Sequence, residues 1–310
     1  MSVALDAALG VAAVGGMLAV GSLALAFADE AAAAAVAGAP LRPRRLLVAP
    51  FRRAASALLT ATTTTERPDG GGRALAPALL AGLAALAMSM LPLAPGVVPA
   101  DPSTGFVVFS AAVAFVMIAV FLHGWSPNST LPLHGAYRFG AVALSFQIPF
   151  LLAMLATALP AQSLSLVRIV EAQAPLWNVI REPLGLPIYL IVGLAVGLWG
   201  PLNLPDADDL AGGTSAEDSG LARWLWEAAR TSMLVAVAAL GSAAFLGGYL
   251  GPLLPGPVWV ALKTALLLAV MAVARHALAR ARIERFVEVA WVLLVPLALL
   301  NVFVSGAFLL

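Results

Sequence analysis

The feature that most constrains this chain is a series of apolar segments, each about 20 residues long, separated by shorter polar stretches. An α-helix rises about 1.5 Å per residue, so such a segment crosses the roughly 30 Å hydrocarbon layer of a membrane. Barrel strands would alternate apolar with polar residues, whereas these segments are apolar on all sides. The sequence predicts an all-α, polytopic integral membrane protein forming a single transmembrane domain over 1–310. Eight spans are predicted, at 3–27, 74–94, 105–123, 136–160, 179–200, 223–249, 258–277 and 289–309.

The composition agrees with that class and excludes others. Charged residues make up 11% of the chain and hydrophobic residues 62%, against about 25% charged in soluble domains. Cysteine is absent, which excludes disulfides, thiolate-bound clusters and zinc–thiolate sites. With three scattered histidines and a net charge of +1, we expect no metal in this chain and no nucleic-acid partner. The first apolar run lacks the basic start and cleavage site of a signal peptide, so we expect a retained helix.

The arginines of the short loops predict the orientation. The first loop, 28–73, and the seventh contain most of them, at Arg42, Arg44, Arg45, Arg52, Arg53, Arg67 and Arg73, and at Arg275, Arg280, Arg282 and Arg285. We therefore predict that 28–73 is a basic cytoplasmic loop, that 201–222 is an acidic cytoplasmic loop, and that all odd-numbered loops face the cytoplasm. Arg168 and Arg181, in the fourth loop, run against the rule. The stretch RRLLVAPFRRAASALL in the first loop is amphipathic and is predicted to lie along the membrane interface.

Residues 124–150, GWSPNSTLPLHGAYRFGAVALSFQIPF, contain a distinctive order of motifs. A Gly-Trp-Ser-x-Asn-Ser element is followed by a Gly-Ala-x-Arg step and then by a Ser-x-x-x-Pro element. This segment resembles, without a gap, the subunit 1 family of NADH-quinone oxidoreductase, the membrane-arm subunit of respiratory complex I that borders the quinone chamber. The matching residues are Gly124, Trp125, Ser126, Asn128, Ser129, Gly135, Ala136, Arg138, Ser145 and Pro149.

Further blocks follow in the order of that family. PLNLPDADDL at 201–210 is similar to its Pro-Phe-Asp-Leu-Pro-Glu-Ala-Glu, EDSG at 217–220 to its Glu-Tyr-Ser-Gly, and AFLGGY at 244–249 to its Leu-Phe-Leu-Gly-Gly-Trp. The carboxyl end is similar to its Arg-x(4)-Arg-x-Arg-x-Asp … Trp-Lys-x(3)-Pro pattern. The residues that keep this spacing are Arg275, Arg280, Arg282, Glu284, Trp291, Pro296 and Asn301.

The resemblance implies a subunit without a redox centre, in a quinone-reducing translocase of the cell inner (plasma) membrane. Such a subunit frames the quinone tunnel and docks a peripheral arm through its cytoplasmic loops. The implied cofactor is quinone, a substrate shared with partner subunits. The implied partners are other membrane-arm subunits, peripheral iron–sulfur and quinone-site subunits, and membrane lipid.

The resemblance also implies roles for particular residues. The acidic stretch becomes a quinone-site and proton-coupling loop, comprising Asp206, Asp208, Asp209, Glu217 and Asp218. A mobile carboxylate cluster there can accept protons, because closely packed like charges raise one another's pKa. The alternative is a solvated loop, since acidic residues are scarcely constrained by orientation. Candidates for framing the quinone or docking the arm are Arg138, Trp125, Arg280, Arg282 and Glu284.

At several positions the resembled family has a titratable or charged residue, whereas this chain has a different one. The residues in this chain are Gln147, Val196, Trp199, Asn203 and Val292, and Arg230 occupies a glutamate position. Glutamine cannot exchange a proton at accessible pH. We therefore expect this chain to be a divergent member in which proton translocation is reduced or lost, if translocation depends on those carboxylates.

The remaining intramembrane charges are few. Glu227 and Arg230 lie three residues apart on one predicted helix and are expected to pair. Lys263 either keeps a family position or snorkels to the end of its helix. Asp29 and Glu30 are predicted to mark the end of the first span. His123 is expected at the surface, and Trp224 and Trp226 in an interfacial aromatic belt.

Two rival functions remain open. One is the homologous membrane subunit of an energy-converting hydrogenase or formate hydrogenlyase, against which the Asp-Ser-Gly and Phe-Leu-Gly-Gly elements favour the quinone branch. The other is a stand-alone membrane transporter, which the absence of internal repeats and the scarcity of mid-span charges disfavour.

Overall fold

The computed structural model describes residues 2–206 and 211–307. Within those ranges the fold is helical and contains no β-strand, only an isolated bridge between Ala94 and Val97. The all-α prediction is therefore confirmed. Seven of the described helices are long and apolar enough to cross a membrane.

The helices follow the predicted spans closely, with one exception. In chain order they are α1 (Ser2–Val36), α2 (Pro43–Leu59), α3 (Gly70–Ser89), α4 (Gly105–Trp125), α5 (Thr130–Ala158), α6 (Leu166–Glu171), α7 (Asn178–Arg181), α8 (Gly185–Val196), α9 (Gly220–Phe245), α10 (Gly256–Ala277), α11 (Ile283–Val289) and α12 (Val295–Ala307). A π-helical turn, Ala290–Leu294, joins α11 to α12, so that Ile283–Ala307 is continuous over 25 residues.

The exception is the fifth predicted span, 179–200. Helix there is limited to the last residues of the short α7 and to α8, whose 12 residues extend about 18 Å, well short of the hydrocarbon layer. Pro183 stands between α7 and α8 and has no backbone N–H with which to continue a helix. The rest of this crossing is irregular, which a membrane tolerates only where the polar backbone is buried in protein.

Buried amides satisfy that irregular backbone. Gln173 donates to the carbonyls of Ile169 and Ala243, at 3.0 and 2.8 Å. Its carbonyl oxygen accepts from the backbone N–H groups of Asn178 and Gly247, at 3.2 and 2.9 Å. The fifth crossing is thereby tied to the end of α9 at full burial.

The chain passes between the two ends of the bundle eight times. At one end, here called the basic end, the backbone N–H of Asp69 donates to the carbonyl of Ser126 at 2.8 Å. At the same end, Arg275 Nη1 donates to Asp29 Oδ2 at 3.3 Å. The opposite end brings together Ala100 with Ser89 and Phe106 with Leu164, each at 2.9 Å. The first, third, fifth and seventh predicted loops therefore meet at the basic end.

α9 is the central helix. Its residues from Met233 to Leu240 are all buried, and it packs against α1, α3, α8 and α10. Close approach to α8 depends on small residues, since a Cβ at Gly193 would lie 2.9 Å from Val237 and one at Gly197 2.6 Å from Leu234. Small residues let transmembrane helices approach in this way.

The predicted first loop, 28–73, is largely helical. α1 continues to Val36, and the amphipathic stretch forms α2. α2 packs against α1 and α9 at the basic end. Asp69 then caps α3 by accepting from the N–H groups of Gly71 and Gly72.

Candidate functional site

The acidic loop begins with a carboxylate that is fully engaged. Asp206 is buried; its Oδ2 accepts from Arg230 Nη1 at 2.7 Å, and its Oδ1 accepts from the hydroxyls of Thr214 and Ser215 at 2.5 and 3.3 Å. Its backbone carbonyl accepts from Arg280 at 2.9 Å. Asp206 is therefore held in one position by both ends of its own loop and by α9. Asp208 and Asp209 lie outside the described residues.

The two carboxylates that close the loop have other partners. Glu217 accepts from the Ser129 hydroxyl at 3.1 Å. Asp218 is buried, with Oδ2 at 2.9 Å from His123 Nε2 and Oδ1 at 3.6 Å from Arg73. Asp206, Glu217 and Asp218 thus contact separate groups rather than forming one cluster of like charges.

His123 and Trp226 differ from their predicted surface positions. The two rings stack with centroids 3.7 Å apart, and both side chains are buried, at 3% and 0% exposure. The predictions of a surface histidine and of an interfacial tryptophan were wrong, because α4 and α9 meet here beneath the closing residues of the loop. Asp218 and this stacked pair together anchor the loop to the bundle.

The predicted pair of Glu227 with Arg230 is also wrong. Glu227 accepts from Arg223 at 2.9 Å on the exposed side of α9. Arg230 instead turns toward the loop, where it binds Asp206 and also donates to the backbone carbonyl of Leu198. A buried carboxylate and a buried carbonyl compete for this guanidinium more strongly than an exposed carboxylate does, because both are shielded from water.

A second ionic centre lies where α1, α2 and α10 meet. Asp29 is 4% exposed and contacts His276 at 2.8 Å, Arg275 at 3.3 Å and Arg53 at 3.6 Å. Arg53 also pairs with Glu30, which is buried as well. Asp29 and Glu30 were predicted to mark the membrane boundary at the end of the first span. α1 continues beyond them to Val36, and the two carboxylates join three helices.

A polar cavity of about 800 Å³ separates the two ionic centres. Its lining includes the charged groups of both centres, namely Asp29, Arg53, Asp206, Arg230, Arg275 and Arg280. The indole of Trp199 also lines it, with the Arg275 guanidinium 4.2 Å above the ring. In all, five arginines and three carboxylates line the cavity, because Arg223 and Glu227 also belong to its wall. This surplus of hydrogen-bond donors allows the cavity to bind a carbonyl or an anionic group.

The turn at Gly200 shapes the wall of this cavity. Its φ is +58°, a left-handed conformation that favours glycine. A Cβ there would lie 2.8 Å from the Cα of Arg275. The close approach of the loop to α10 therefore requires glycine and sets Trp199 under Arg275.

The other predicted framing and docking residues lie apart from the cavity lining. Trp125 is half exposed at the end of α4, while Arg282 and Glu284 are exposed at the start of α11. Arg138 is partly buried in the first half of α5. Arg280 alone of these candidates reaches the cavity.

The substituted family positions and Lys263 are scattered. Gln147 makes one long bond to the Ser110 carbonyl, at 3.4 Å, and Val196 is buried. Val292 is 71% exposed on the outer face of the π-helical turn. Lys263 does not snorkel: it is buried and donates to the carbonyls of Gly248 and Leu250, at 2.8 and 2.6 Å, which fixes the turn after α9.

The sequence also matches a known family over most of its length. A family model described as NADH dehydrogenase matches residues 47–306. The matched range includes the acidic loop, α8 to α12 and most of the cavity lining, whereas Asp29 and Glu30 precede it.

Proposed function

Since this chain belongs to the NADH dehydrogenase family, we propose that it is the membrane subunit of a complex I-like NADH-quinone oxidoreductase, framing the quinone-binding site and docking the peripheral arm. Membership in that family makes it a subunit of an oxidoreductase complex, so other subunits of such a complex are its partners. In this proposal the iron–sulfur clusters and the electron donor site belong to peripheral subunits at the basic end.

The observation that supports quinone binding most directly is the polar cavity. A quinone headgroup has two carbonyl oxygens, which accept hydrogen bonds, and a flat ring, which packs on an aromatic surface. The arginines of both ionic centres supply donors, and Trp199 supplies a flat face already paired with Arg275. A headgroup in this cavity would meet Arg230 and Arg280, the same residues that hold Asp206.

Arm docking is assigned to the exposed charges beside the cavity. Arg282 and Glu284 stand at the start of α11, with Arg285 completing the first turn. Exposed charges of this kind contribute little to the stability of the chain itself, but across an interface they govern which partner binds.

Proton translocation in this proposal is altered rather than typical of the family. Gln147 and Val196 cannot exchange protons, and Asp206 is held by an arginine. The described carboxylates of the loop are anchored individually, which limits them as a mobile proton-accepting cluster.

The decisive experiment is purification of the chain from its native membrane in mild detergent. Cluster-bearing subunits and NADH-dependent reduction of a short-chain quinone are expected in the same fraction. Charge reversal at the docking surface, Arg282→Glu together with Glu284→Arg, should lower arm retention several-fold, whereas Arg168→Glu at the opposite end should not.

Other outcomes identify the rivals. Co-purification with a nickel-containing hydrogenase subunit, without quinone reduction, would assign the chain to an energy-converting hydrogenase. A monodisperse lone chain that moves a solute across vesicle membranes would favour the transporter and overturn the proposal.

A further inference from the structure

A buried carboxylate lies in the fifth crossing, away from the polar cavity. Glu182 occupies the break between α7 and α8 and is 0% exposed. It lies outside the groups proposed for quinone binding and for docking. Fully buried glutamates are rare, because an ionised side chain is costly to remove from water unless it is paired.

Two polar side chains of α12 face this carboxylate. The hydroxyl of Ser305 lies 2.9 Å from Glu182 Oε1 and 2.9 Å from the carbonyl of Ala156 in α5. Asn301 approaches from the same side, since a Cβ at Gly185 would lie 3.1 Å from its Nδ2 and 3.6 Å from Glu182 Oε2. Asn301 is also a side-chain partner of the Glu182 carboxyl group.

This group is not saturated with hydrogen bonds. Within the described part of the chain, Glu182 Oε2 and both polar atoms of Asn301 have no hydrogen-bond partner of ordinary geometry. Buried polar atoms are nearly always paired, so unpaired atoms on two side chains that interact with each other indicate that the group lacks a hydrogen between two of its acceptors.

The nearest cation in the sequence is Arg181, whose charge acts on the Glu182 carboxylate but whose side chain donates to Asn178 Oδ1 at 3.1 Å. The neighbouring groups from α5, α9 and α12 are neutral, namely the Ala156 carbonyl, Phe245, Asn301 and Ser305. An ionised carboxylate left alone in such a place costs several kcal/mol.

We propose that Glu182, Asn301 and Ser305 form a proton-binding site within the fifth crossing. The carboxylate binds one proton at Oε2, and the resulting hydroxyl donates to Oδ1 of Asn301 once the amide turns so that Oδ1, rather than Nδ2, faces Glu182. Ser305 donates to Oε1 and holds the carboxyl in position. The site does not depend on the proposed function. It provides an exchangeable proton in the fifth crossing, where the valine at position 196 has no group that can bind one.

A metal cation fits these residues less well. Hard cations require several oxygen ligands, six or more for calcium and magnesium. Here only Glu182 Oε2 and Asn301 Oδ1 are unengaged among the described oxygens of the group, and the donor Nδ2 of Asn301 lies beside them. A single proton bound to Glu182 Oε2 can be shared with Asn301 Oδ1, so it satisfies both of these oxygens.

Infrared spectroscopy tests the proposal on the full-length chain, reconstituted in phosphatidylcholine vesicles with the subunits it retains. Protonated carboxyl groups give a carbonyl band that ionised carboxylates lack. At neutral pH the wild type should show such a band, and Glu182→Gln should lose one carboxyl equivalent of it. The matched control Glu171→Gln, an exposed glutamate paired with Arg168, should lose none.

Two further measurements keep the test decisive. Asn301→Leu removes the proposed acceptor, so the Glu182 band should shift in frequency while its intensity persists. Equal bands in the wild type and in folded Glu182→Gln would overturn the proposal, as would an unshifted band in Asn301→Leu. A band that vanishes when sodium replaces choline in the buffer would assign the site to a cation instead.

Discussion

At the scale of single residues, Arg230 joins two parts of the basic end through one side chain. Its guanidinium binds Asp206 through Nη1 and the Leu198 carbonyl through Nη2. Leu198 has a φ of +51°, so this carbonyl belongs to a strained turn at the end of the fifth crossing. The rigid fork of arginine can bind both acceptors at once, which the single ammonium of lysine cannot do in the same geometry.

Replacing this residue should be costly. The side chains of Arg230 and Asp206 are only 13% and 9% exposed. Arg230→Leu therefore leaves a buried carboxylate and a buried carbonyl without their arginine partner. We expect the free energy of unfolding in detergent to fall by about 3 kcal/mol, as for other broken buried ion pairs. Denaturant or thermal unfolding measures this change.

The control is Arg285→Leu, which breaks an exposed pair with Glu288. It should change the free energy of unfolding by at most about 1 kcal/mol. Equal effects of the two substitutions would show that the Asp206–Arg230 pair contributes no more than a surface contact.

At the scale of elements, the acidic loop is fastened at both ends by its backbone. Gly213 has a φ of +55°, and a Cβ there would lie 1.7 Å from the Pro205 carbonyl. The next residue, Thr214, donates its N–H to that same carbonyl at 3.3 Å and its hydroxyl to Asp206. The two ends of the loop therefore close on each other only if position 213 is glycine.

Gly213→Ala should release this fastening. The Cβ cannot be accommodated, because the atom it meets is backbone and cannot rotate away. We expect cleavage after Glu217 by a glutamate-specific protease to become at least several-fold faster, since the bond from Ser129 depends on the loop staying in place.

The matched substitution is Gly140→Ala in α5, where a Cβ meets nothing within 4 Å. It should leave the cleavage rate unchanged, because alanine suits a helix interior better than glycine. Unaltered cleavage in Gly213→Ala would mean that the loop is held by its side chains alone.

At the scale of the whole molecule, the described residues form a helical bundle around α9. Seven of its helices are long and apolar enough to cross a membrane, and the predicted fifth crossing combines a short helix with irregular backbone that Gln173 and Asn178 satisfy. The arginines of the odd-numbered loops gather at one end, and the positive-inside rule predicts that this end is cytoplasmic.

The absence of cysteine makes this orientation directly measurable. Ser56→Cys in α2 and Ser163→Cys at the opposite end place single thiols on the two sides, the first at an exposed position and the second at a partly exposed one. In intact spheroplasts, a membrane-impermeant maleimide should label Ser163→Cys and spare Ser56→Cys. Lysis should then expose Ser56→Cys, and labelling of both before lysis would contradict eight crossings.

The sequence by itself determined the class of the molecule, the place of seven spans and the family. The class and the spans follow from residues that are close in sequence, because about 20 consecutive apolar residues form a membrane-spanning helix whatever surrounds them. The motifs around Trp125, at 201–210 and after Arg275 were equally local, and the family match over 47–306 agrees with them.

Only the tertiary structure decided which charges meet. Glu227 and Arg230 were predicted to pair because they are close in sequence, yet a buried acceptor on another element binds Arg230 instead. Asp29 and His276, 247 residues apart, are brought together by the packing of α1 against α10. A pairing of this kind depends on which helix ends coincide in space, and a single sequence does not contain that information.

Glu182 shows most clearly the difference between what the sequence determines and what only the tertiary structure decides. An ionisable residue within a predicted apolar span was a visible signal, but its meaning depends on neighbours contributed by α5 and α12. Apolar length places a helix in the membrane, whereas the free energy of a buried charge is set by the few groups packed around it.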